Sequence, residues 1–291
     1  MYVVTFLCNP LVPKLTDALI SKYLISLGGD NVTWLKEGVA AEFSIPETPK
    51  NCKEYWSELQ ELEIDIVFQA SKLRKKKILV ADMDSTIINQ ECLDELADEV
   101  GYGKEIRAIT KQAMEGNLEF ECALIKRVKY LKGTPEKTIG DVLRDRITLS
   151  AGARTLISTM RENNSYTSLV SGGFTQFTSK IAHELGFHEN RANHLEVENS
   201  KLTGNVKRPI LGKEAKVEVI KSLTKHFCLT PKDVIAVGDG ANDIGMLAFA
   251  GTGVAMHAKK IVQDKADIII NHCDLSALLY LQGYEYNNFI I

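Results

Sequence analysis

Three short apolar runs predict an α/β fold built on a parallel sheet. Ile78-Leu79-Val80-Ala81, Leu169-Val170 and Val234-Ile235-Ala236-Val237 are continuous rather than alternating, as strands buried on both faces are. Each ends in a polar or glycine-rich segment: Asp82-Met83-Asp84-Ser85-Thr86, Ser171-Gly172-Gly173-Phe174 and Gly238-Asp239-Gly240-Ala241-Asn242-Asp243. Helical periodicity stands between the runs, which is the pattern of parallel strands joined by helical crossovers. If the three strands are neighbours, their ends converge at the carboxyl edge of one sheet, where open α/β folds place their sites.

The chain ahead of these runs reads as a small α+β module. Tyr2 to Cys8 is strand-like, and Val12 to Leu27 carries apolar residues at helical spacing (Leu15, Ala18, Leu19, Tyr23, Leu24) until Gly28-Gly29-Asp30-Asn31 breaks it. Val32 to Leu35 and Val39 to Ser44 form a hairpin across Lys36-Glu37-Gly38, Glu54 to Leu62 is helical, and Ile64 to Phe68 is the last strand. The order βαββαβ is ferredoxin-like. The basic run Ser71-Lys72-Leu73-Arg74-Lys75-Lys76-Lys77 reads as a solvated connector, so the expected boundaries are 1–72 for this module and 73–291 for the α/β domain.

Within the larger domain, residues from about 89 to 149 show no strand but helical periodicity through Leu93, Leu96, Ala97, Val100, Ile106, Ile109, Leu124, Val128 and Leu131. A helical insertion directly after the first carboxylate strand is placed to fold over the sheet edge as a cap that excludes water. Strand and helix alternation returns with Thr155 to Met160, Tyr166 to Val170, Gln176 to Leu185, Glu214 to Leu223, Val234 to Val237, Gly253 to Met256 and Ile268 to Ile270.

Composition excludes several function classes. At 291 residues, with 45% hydrophobic and 25% charged, the chain can bury a core in each of two domains. A formal net charge of −3 argues against bulk binding to nucleic acid or an anionic membrane. No apolar stretch approaches the roughly 20 residues of a membrane span, and Met1-Tyr2-Val3-Val4-Thr5-Phe6-Leu7 lacks the marks of a secretion signal. The six cysteines (8, 52, 92, 122, 228 and 273) form no Cys-x-x-Cys pair, which fits reduced thiols and a cytoplasmic location better than disulfides or zinc. Site chemistry is therefore expected from carboxylates, hydroxyls, lysine and backbone.

The carboxylates suit cation-assisted phosphoryl transfer, which needs a nucleophile, a proton carrier, a divalent metal and phosphate ligands. Asp82 and Asp84 can supply the first two and Asp239 can complete an oxygen shell. Ser171 brings a hydroxyl beside the Gly172-Gly173 backbone, whose N–H groups can meet a phosphate oxygen. Lys216 opens a helix-like stretch, with Lys213 and Lys221 close by, and Asn242 offers an amide beside Asp239. Taken singly, these residues also read as a turn, a helix cap or solvated surface. Rival motifs are missing: there is no Gly-x4-Gly-Lys-Ser/Thr, no third glycine after Gly238-x-Gly240, and no Gly-x-Ser-x-Gly.

Asp-x-Asp-Ser-Thr, Ser-Gly-Gly-Phe, a later lysine and Gly-Asp-Gly-Ala-Asn-Asp, in this order, resemble the haloacid dehalogenase-like (HAD-like) phosphatases. Between them, Glu91-Cys92-Leu93-Asp94-Glu95-Leu96-Ala97, Ala113 to Phe120, and Arg127-Val128 with Leu131-Lys132-Gly133 are similar to the cap of the branch acting on phosphoserine. The resemblance covers Lys76 to about Leu279 and implies a Rossmann-like parallel sheet. It also implies Mg²⁺-dependent hydrolysis of O-phospho-L-serine to L-serine, the last step of serine biosynthesis. Asp82 would attack phosphorus to give an aspartyl-phosphate, and Asp84 would protonate the leaving oxygen and then activate water. Mg²⁺ would sit on Asp82, the carbonyl of Asp84 and Asp239. Ser171, Gly172, Lys216 (selected from its neighbours only by the family pattern) and Asn242 would bind phosphate, with Asp243 behind them. Glu91 would pair with the substrate ammonium and Arg127 with its carboxylate, while Met114 and Phe120 close around the side chain. Another small phosphorylated amino acid as substrate, or transfer to another alcohol, is the alternative.

The N-terminal module resembles ACT-like regulatory domains. Its first loop, Cys8-Asn9-Pro10-Leu11-Val12-Pro13, lacks the glycine often found where such domains bind amino acids. A role in homodimerisation or in supporting the catalytic domain is expected in preference to sensing. At Met83 the family often has phenylalanine; that side chain should point away from both carboxylates.

Overall fold

The structure is a computed structural model that describes residues 1–114 and 118–291, the side chain of Met114 apart. Its first seventy residues fold as β1 (Tyr2–Cys8), α1 (Asp17–Ser26), β2 (Asp30–Lys36), β3 (Ala40–Ile45), α2 (Cys52–Glu61) and β4 (Ile64–Ala70). The sheet has the order β2-β3-β1-β4, and every neighbouring pair is antiparallel. α1 begins only at Asp17. Lys14 and Leu15 instead donate their N–H groups to Gly38 O (3.0 Å each), and Thr16 caps the helix by accepting from Leu19 N–H (3.2 Å). Alternation along β1 divides two cores: Val4, Phe6 and Cys8 pack with Ile20, Tyr23 and Leu59, whereas Leu7 joins Val39, Ala40 and Val67 in the core of the larger domain. The module is thus covered by its own helices on one face and by the α/β domain on the other.

Polar contacts seal that junction. Asp65, fully buried on β4, accepts backbone N–H bonds from Asn271, His272 and Cys273 at 2.9, 3.0 and 2.9 Å. The connector is less solvated than its charge suggests. Arg74 forks onto Glu42 (3.1 and 2.5 Å) and donates to Leu281 O (3.0 Å), while the buried Lys76 donates Nζ to Lys232 O (2.7 Å). Burial makes such groups find partners, and carbonyls at the domain junction supply them.

The larger sheet comprises β5 (Ile78–Ala81), β6 (Tyr166–Phe174), β7 (Glu189–Asn193), β10 (Val234–Gly238), β11 (Thr252–Met256) and β12 (Ile268–Ile270). All are parallel, in the order β12-β11-β10-β5-β6-β7, so the three strands expected to be neighbours lie side by side. Register does the rest. Ala81 pairs with Val237 on one side and Leu169 on the other, which sets Asp82 level with Gly238 and Val170. The helices α7 (Ala153–Glu162), α8 (Thr175–Leu185), α9 (Lys213–His226) and α10 (Ile244–Phe249) cover the two faces.

Four helices, α3 (Cys92–Glu99), α4 (Gly103–Met114), α5 (Phe120–Lys129) and α6 (Lys137–Asp145), form the insertion after β5. A hairpin unforeseen in the sequence, β8 (Leu195–Glu198) and β9 (Lys201–Val206), holds it. Gly133 N–H donates to Leu202 O, Leu202 N–H to Thr134 O and Glu136 N–H to Ser200 O, at 2.8, 2.8 and 2.9 Å. The hairpin's alternating polar residues carry no long apolar run, and the edge strand β7 (Glu-Asn-Arg-Ala-Asn) is equally polar, so neither shows the signature of a buried strand.

Candidate active site

Past Ala81 the chain leaves the sheet in an extended conformation and then reverses in a wide turn. Asp84 is extended (φ −65°, ψ 135°), Ser85 is left-handed (φ 54°), and Ile88 N–H closes on Met83 O at 3.0 Å. Met83 is buried in the core, while the carboxyls of Asp82 and Asp84 face the convergence of strand ends. Asp82 is anchored by its N–H to Val237 O (3.0 Å). Lys216, on the first turn of α9 and only 2% exposed, donates to Asp82 Oδ1 and Asp243 Oδ1 at 2.5 Å each. Asp243 Oδ2 accepts from Gly240 N–H at 3.0 Å. A Cβ at Gly238 would stand 2.4 Å from Asp243 Cγ, so only glycine lets this carboxylate reach the lysine.

The second carboxylate is held differently. Asp84 Oδ1 accepts from Cys92 N–H (2.9 Å), at the start of α3, and Oδ2 from Ser171 Oγ (3.1 Å). Ser171 Oγ in turn accepts from Gly173 N–H at 2.8 Å, and a Cβ at Gly173 would lie 3.0 Å from both Asp84 Oδ2 and Ser171 Oγ. Burial, and next the charge of Glu91, raise Asp84 to about 6, a value at which a carboxyl gives and takes protons near neutrality. Asp239 is also raised to about 6, by burial and then by Asp243; Thr86 Oγ1 donates to its Oδ1 at 3.4 Å.

Charge is out of balance here. Burial, followed by the Asp243 charge, pushes Asp82 well above the ordinary carboxyl range, with Lys216 pulling it back. Burial lowers the Lys216 ammonium, but Asp82 and Asp243 together outweigh it and raise the group above an ordinary lysine. One buried ammonium therefore faces four carboxylates (Asp82, Asp84, Asp239 and Asp243). Oxygens of Asp82, Asp239 and Asp243 lie within 4.8 Å of one another, an oxygen-only donor set that fits a hard divalent cation. Such an ion would offset the burial and the neighbouring negative charge that raise Asp82 and Asp239.

The remaining expected residues sit around this centre. Asn242 is half-buried, its Oδ1 2.4 Å from where a Gly240 Cβ would be. Gly172 lies under the Phe120 ring, 3.3 Å from its would-be Cβ, so α5 of the cap meets the Ser171-Gly172-Gly173 loop. Glu91 precedes α3, and its Oε1 accepts from Ser85 Oγ at 2.8 Å. Arg127, half-buried on α5, donates Nη1 to Thr110 Oγ1 (3.3 Å) and makes no ion pair among the described residues. Burial lowers it, against the opposing charges of Asp94, Glu91 and Asp84. The Met114 side chain and residues 115–117 lie outside the described residues. Sequence reasoning missed Asn193, whose amide donates to Gly172 O (2.9 Å) and accepts from Leu211 N–H (2.7 Å), tying the Ser171 loop to the approach of α9. A lone asparagine at a polar strand end gives no signal of that role.

Residues 79–248 match the haloacid dehalogenase-like hydrolase family, and the chain belongs to it. A phosphoserine phosphatase of Methanocaldococcus jannaschii is 42% identical over 71% of this chain and 97% of that protein. One from Archaeoglobus fulgidus is 39% identical over 76% of this chain, which spans only 64% of that longer relative. Among solved structures, a HAD family hydrolase from Salmonella enterica serovar Typhi superposes with a TM-score of 0.86 at 31% identity, covering 96% of this chain and 97% of that one. A phosphoserine phosphatase solved as a phospho-aspartyl intermediate analogue gives 0.66 at 42%, covering 71% of this chain and 98% of that one. Within its family the chain stands with the phosphoserine phosphatases.

Proposed function

We propose that the protein hydrolyses O-phospho-L-serine to L-serine and inorganic phosphate, the last step of serine biosynthesis, through a phosphorylated Asp82. The observation that carries this reading is the pairing of Asp82, held by Lys216, with Asp84 poised near pH 6 beside Ser171. An oxygen of Asp82 forms a bond to phosphorus while the bond from phosphorus to the serine oxygen breaks. Protonated Asp84 supplies the proton that the departing oxygen needs. Water then attacks phosphorus and gives a proton to Asp84, which is protonated again, and the Asp82–phosphorus bond breaks to release phosphate.

Ser171 Oγ, the Gly172 backbone, Lys216 and Asn242 hold the phosphoryl oxygens, and Asp243 keeps Lys216 charged and aimed. Mg²⁺, held by the carboxylates of Asp82 and Asp239 and the carbonyl of Asp84, would neutralise phosphoryl charge at the nucleophile. Glu91 receives the substrate ammonium and Arg127 its carboxylate; a half-buried guanidinium that makes no ion pair among the described residues suits that task. Phe120, seated on Gly172, closes the apolar side. The parts divide as a βαββαβ domain over 1–72, a phosphatase domain over 73–291 and a cap at about 89–149. A cytoplasmic location and a homodimer through the N-terminal domain complete the proposal.

The test is a substrate panel with Mg²⁺: O-phospho-L-serine, O-phospho-L-threonine and a sugar phosphate. Preference for phosphoserine, lost in Arg127→Ala, supports the assignment. Equal turnover of the sugar phosphate would sink the roles of Glu91 and Arg127.

A further inference from the structure

Among the described residues, Lys259 is the one cation in an ion pair at this centre that the reaction above does not use. It follows β11 and immediately precedes α11 (Lys260–Gln263). Its backbone N–H donates to Asp239 O (3.2 Å), and its Nζ stands 4.0 Å from Asp239 Oδ2. Among the described residues, Lys216 and Lys259 are the cations within ion-pair distance of Asp82, Asp84, Asp239 or Asp243. They differ in freedom. Lys216 is locked between two carboxylates, its side chain 3% exposed, whereas the Lys259 side chain is 50% exposed and contacts one carboxylate that is 8% exposed. An ammonium on a four-carbon stem, half in water, can leave its partner at little cost.

We propose that Lys259 is a guard cation for the metal: its ammonium holds Asp239 until a divalent ion displaces it, and afterwards it adds attraction for the phosphate dianion. The inference rests on the divalent-metal reading of the site. It makes Lys259 a positioning residue with two opposite effects. Before the ion arrives, Lys259 competes with it for Asp239, because like charges cannot share one carboxylate without repulsion. Once the ion is in place, the same positive charge strengthens anion binding. A bland surface ion pair would do neither.

The experiment titrates Mg²⁺ alone into metal-stripped protein by calorimetry, comparing wild type, Lys259→Gln and Lys259→Arg. Lys259→Gln should bind Mg²⁺ about threefold to tenfold more tightly, the half-exposed charge being partly screened, and the gain should shrink as salt is raised. Lys259→Arg should behave as wild type. Inorganic phosphate titrated with Mg²⁺ present should bind about threefold to tenfold more weakly to Lys259→Gln. Equal or weaker Mg²⁺ binding in Lys259→Gln, or unchanged phosphate binding, would overturn the guard role. Failure of wild type to bind Mg²⁺ would instead overturn the metal reading on which it rests.

Discussion

Replacing Asp65 by asparagine should destabilise the whole protein without touching its chemistry. Asp65 is fully buried at the junction of the N-terminal sheet with the segment after β12, where Oδ1 accepts from Asn271 N–H and Oδ2 from His272 and Cys273 N–H. An amide keeps the shape but puts two donors where an acceptor stood, so at least one backbone N–H faces another N–H. Losing a charged hydrogen bond and stranding a buried donor costs about 2–4 kcal/mol. For a protein of this size that is a fall in Tm of roughly 5–12 °C. Because Leu7, Val39, Ala40 and Val67 share one core with the α/β domain, calorimetry should show a single transition moving as a unit. Phosphatase kcat/KM at 25 °C should stay within about twofold, since Asp65 bonds to Gln60 and to the Asn271, His272 and Cys273 backbone and to none of the site residues. A shift below about 1 °C, or two transitions of which only one moves, would refute the reasoning that the module is built into the catalytic body.

Removing Lys216 as Lys216→Met strands two buried carboxylates, so metal-free protein should lose about 3–5 kcal/mol in urea unfolding and the variant should release no phosphate. Asp84 and Asp239 are raised to about 6 in the folded protein, against about 3.9 unfolded. The folded state then binds more protons, so their contribution to metal-free stability is lost as pH rises from about 4 to about 6. Urea midpoints in EDTA across that window should show a shallower loss for Asp239→Asn than for wild type, and Mg²⁺ should abolish the difference. Arg127→Lys keeps a charge but loses the guanidinium fork, so KM for phosphoserine should rise about tenfold while a phosphomonoester without a carboxylate is unaffected.

The candidate active site is legible in the sequence because its strands are. Buried parallel strands write themselves as unbroken apolar runs, and the residues just beyond Ala81, Val170 and Val237 are polar for no packing reason. The register that levels Asp82 with Gly238 turned that expectation into one site. Lys216 was distinguishable from Lys213 and Lys221 only by family pattern; in the structure it is the buried one of the three. Other features left no local trace. Asn193, Asp65, Arg74 and Lys259 act through partners far along the chain, so a polar residue in a polar stretch, or a lone Asp65 between Ile64 and Ile66, looks like surface until the fold brings its partner near. The β8–β9 hairpin leaves no strong trace because its buried apolar residues, Leu195, Leu202 and Val206, are scattered among polar ones and form no unbroken run. The helical spacing carries α1 past its true start at Asp17 because Leu15 fits it, although the Leu15 N–H is committed to Gly38.

The most direct test of the central claim is a rapid-quench single turnover with O-[³²P]phospho-L-serine and Mg²⁺, followed by acid precipitation and peptide mapping. A covalent label, stable to acid, released by hydroxylamine, confined to the peptide carrying Asp82 and absent from Asp82→Asn is the predicted result. Phosphate release with no protein-bound label at any quench time, or label persisting in Asp82→Asn, would contradict it.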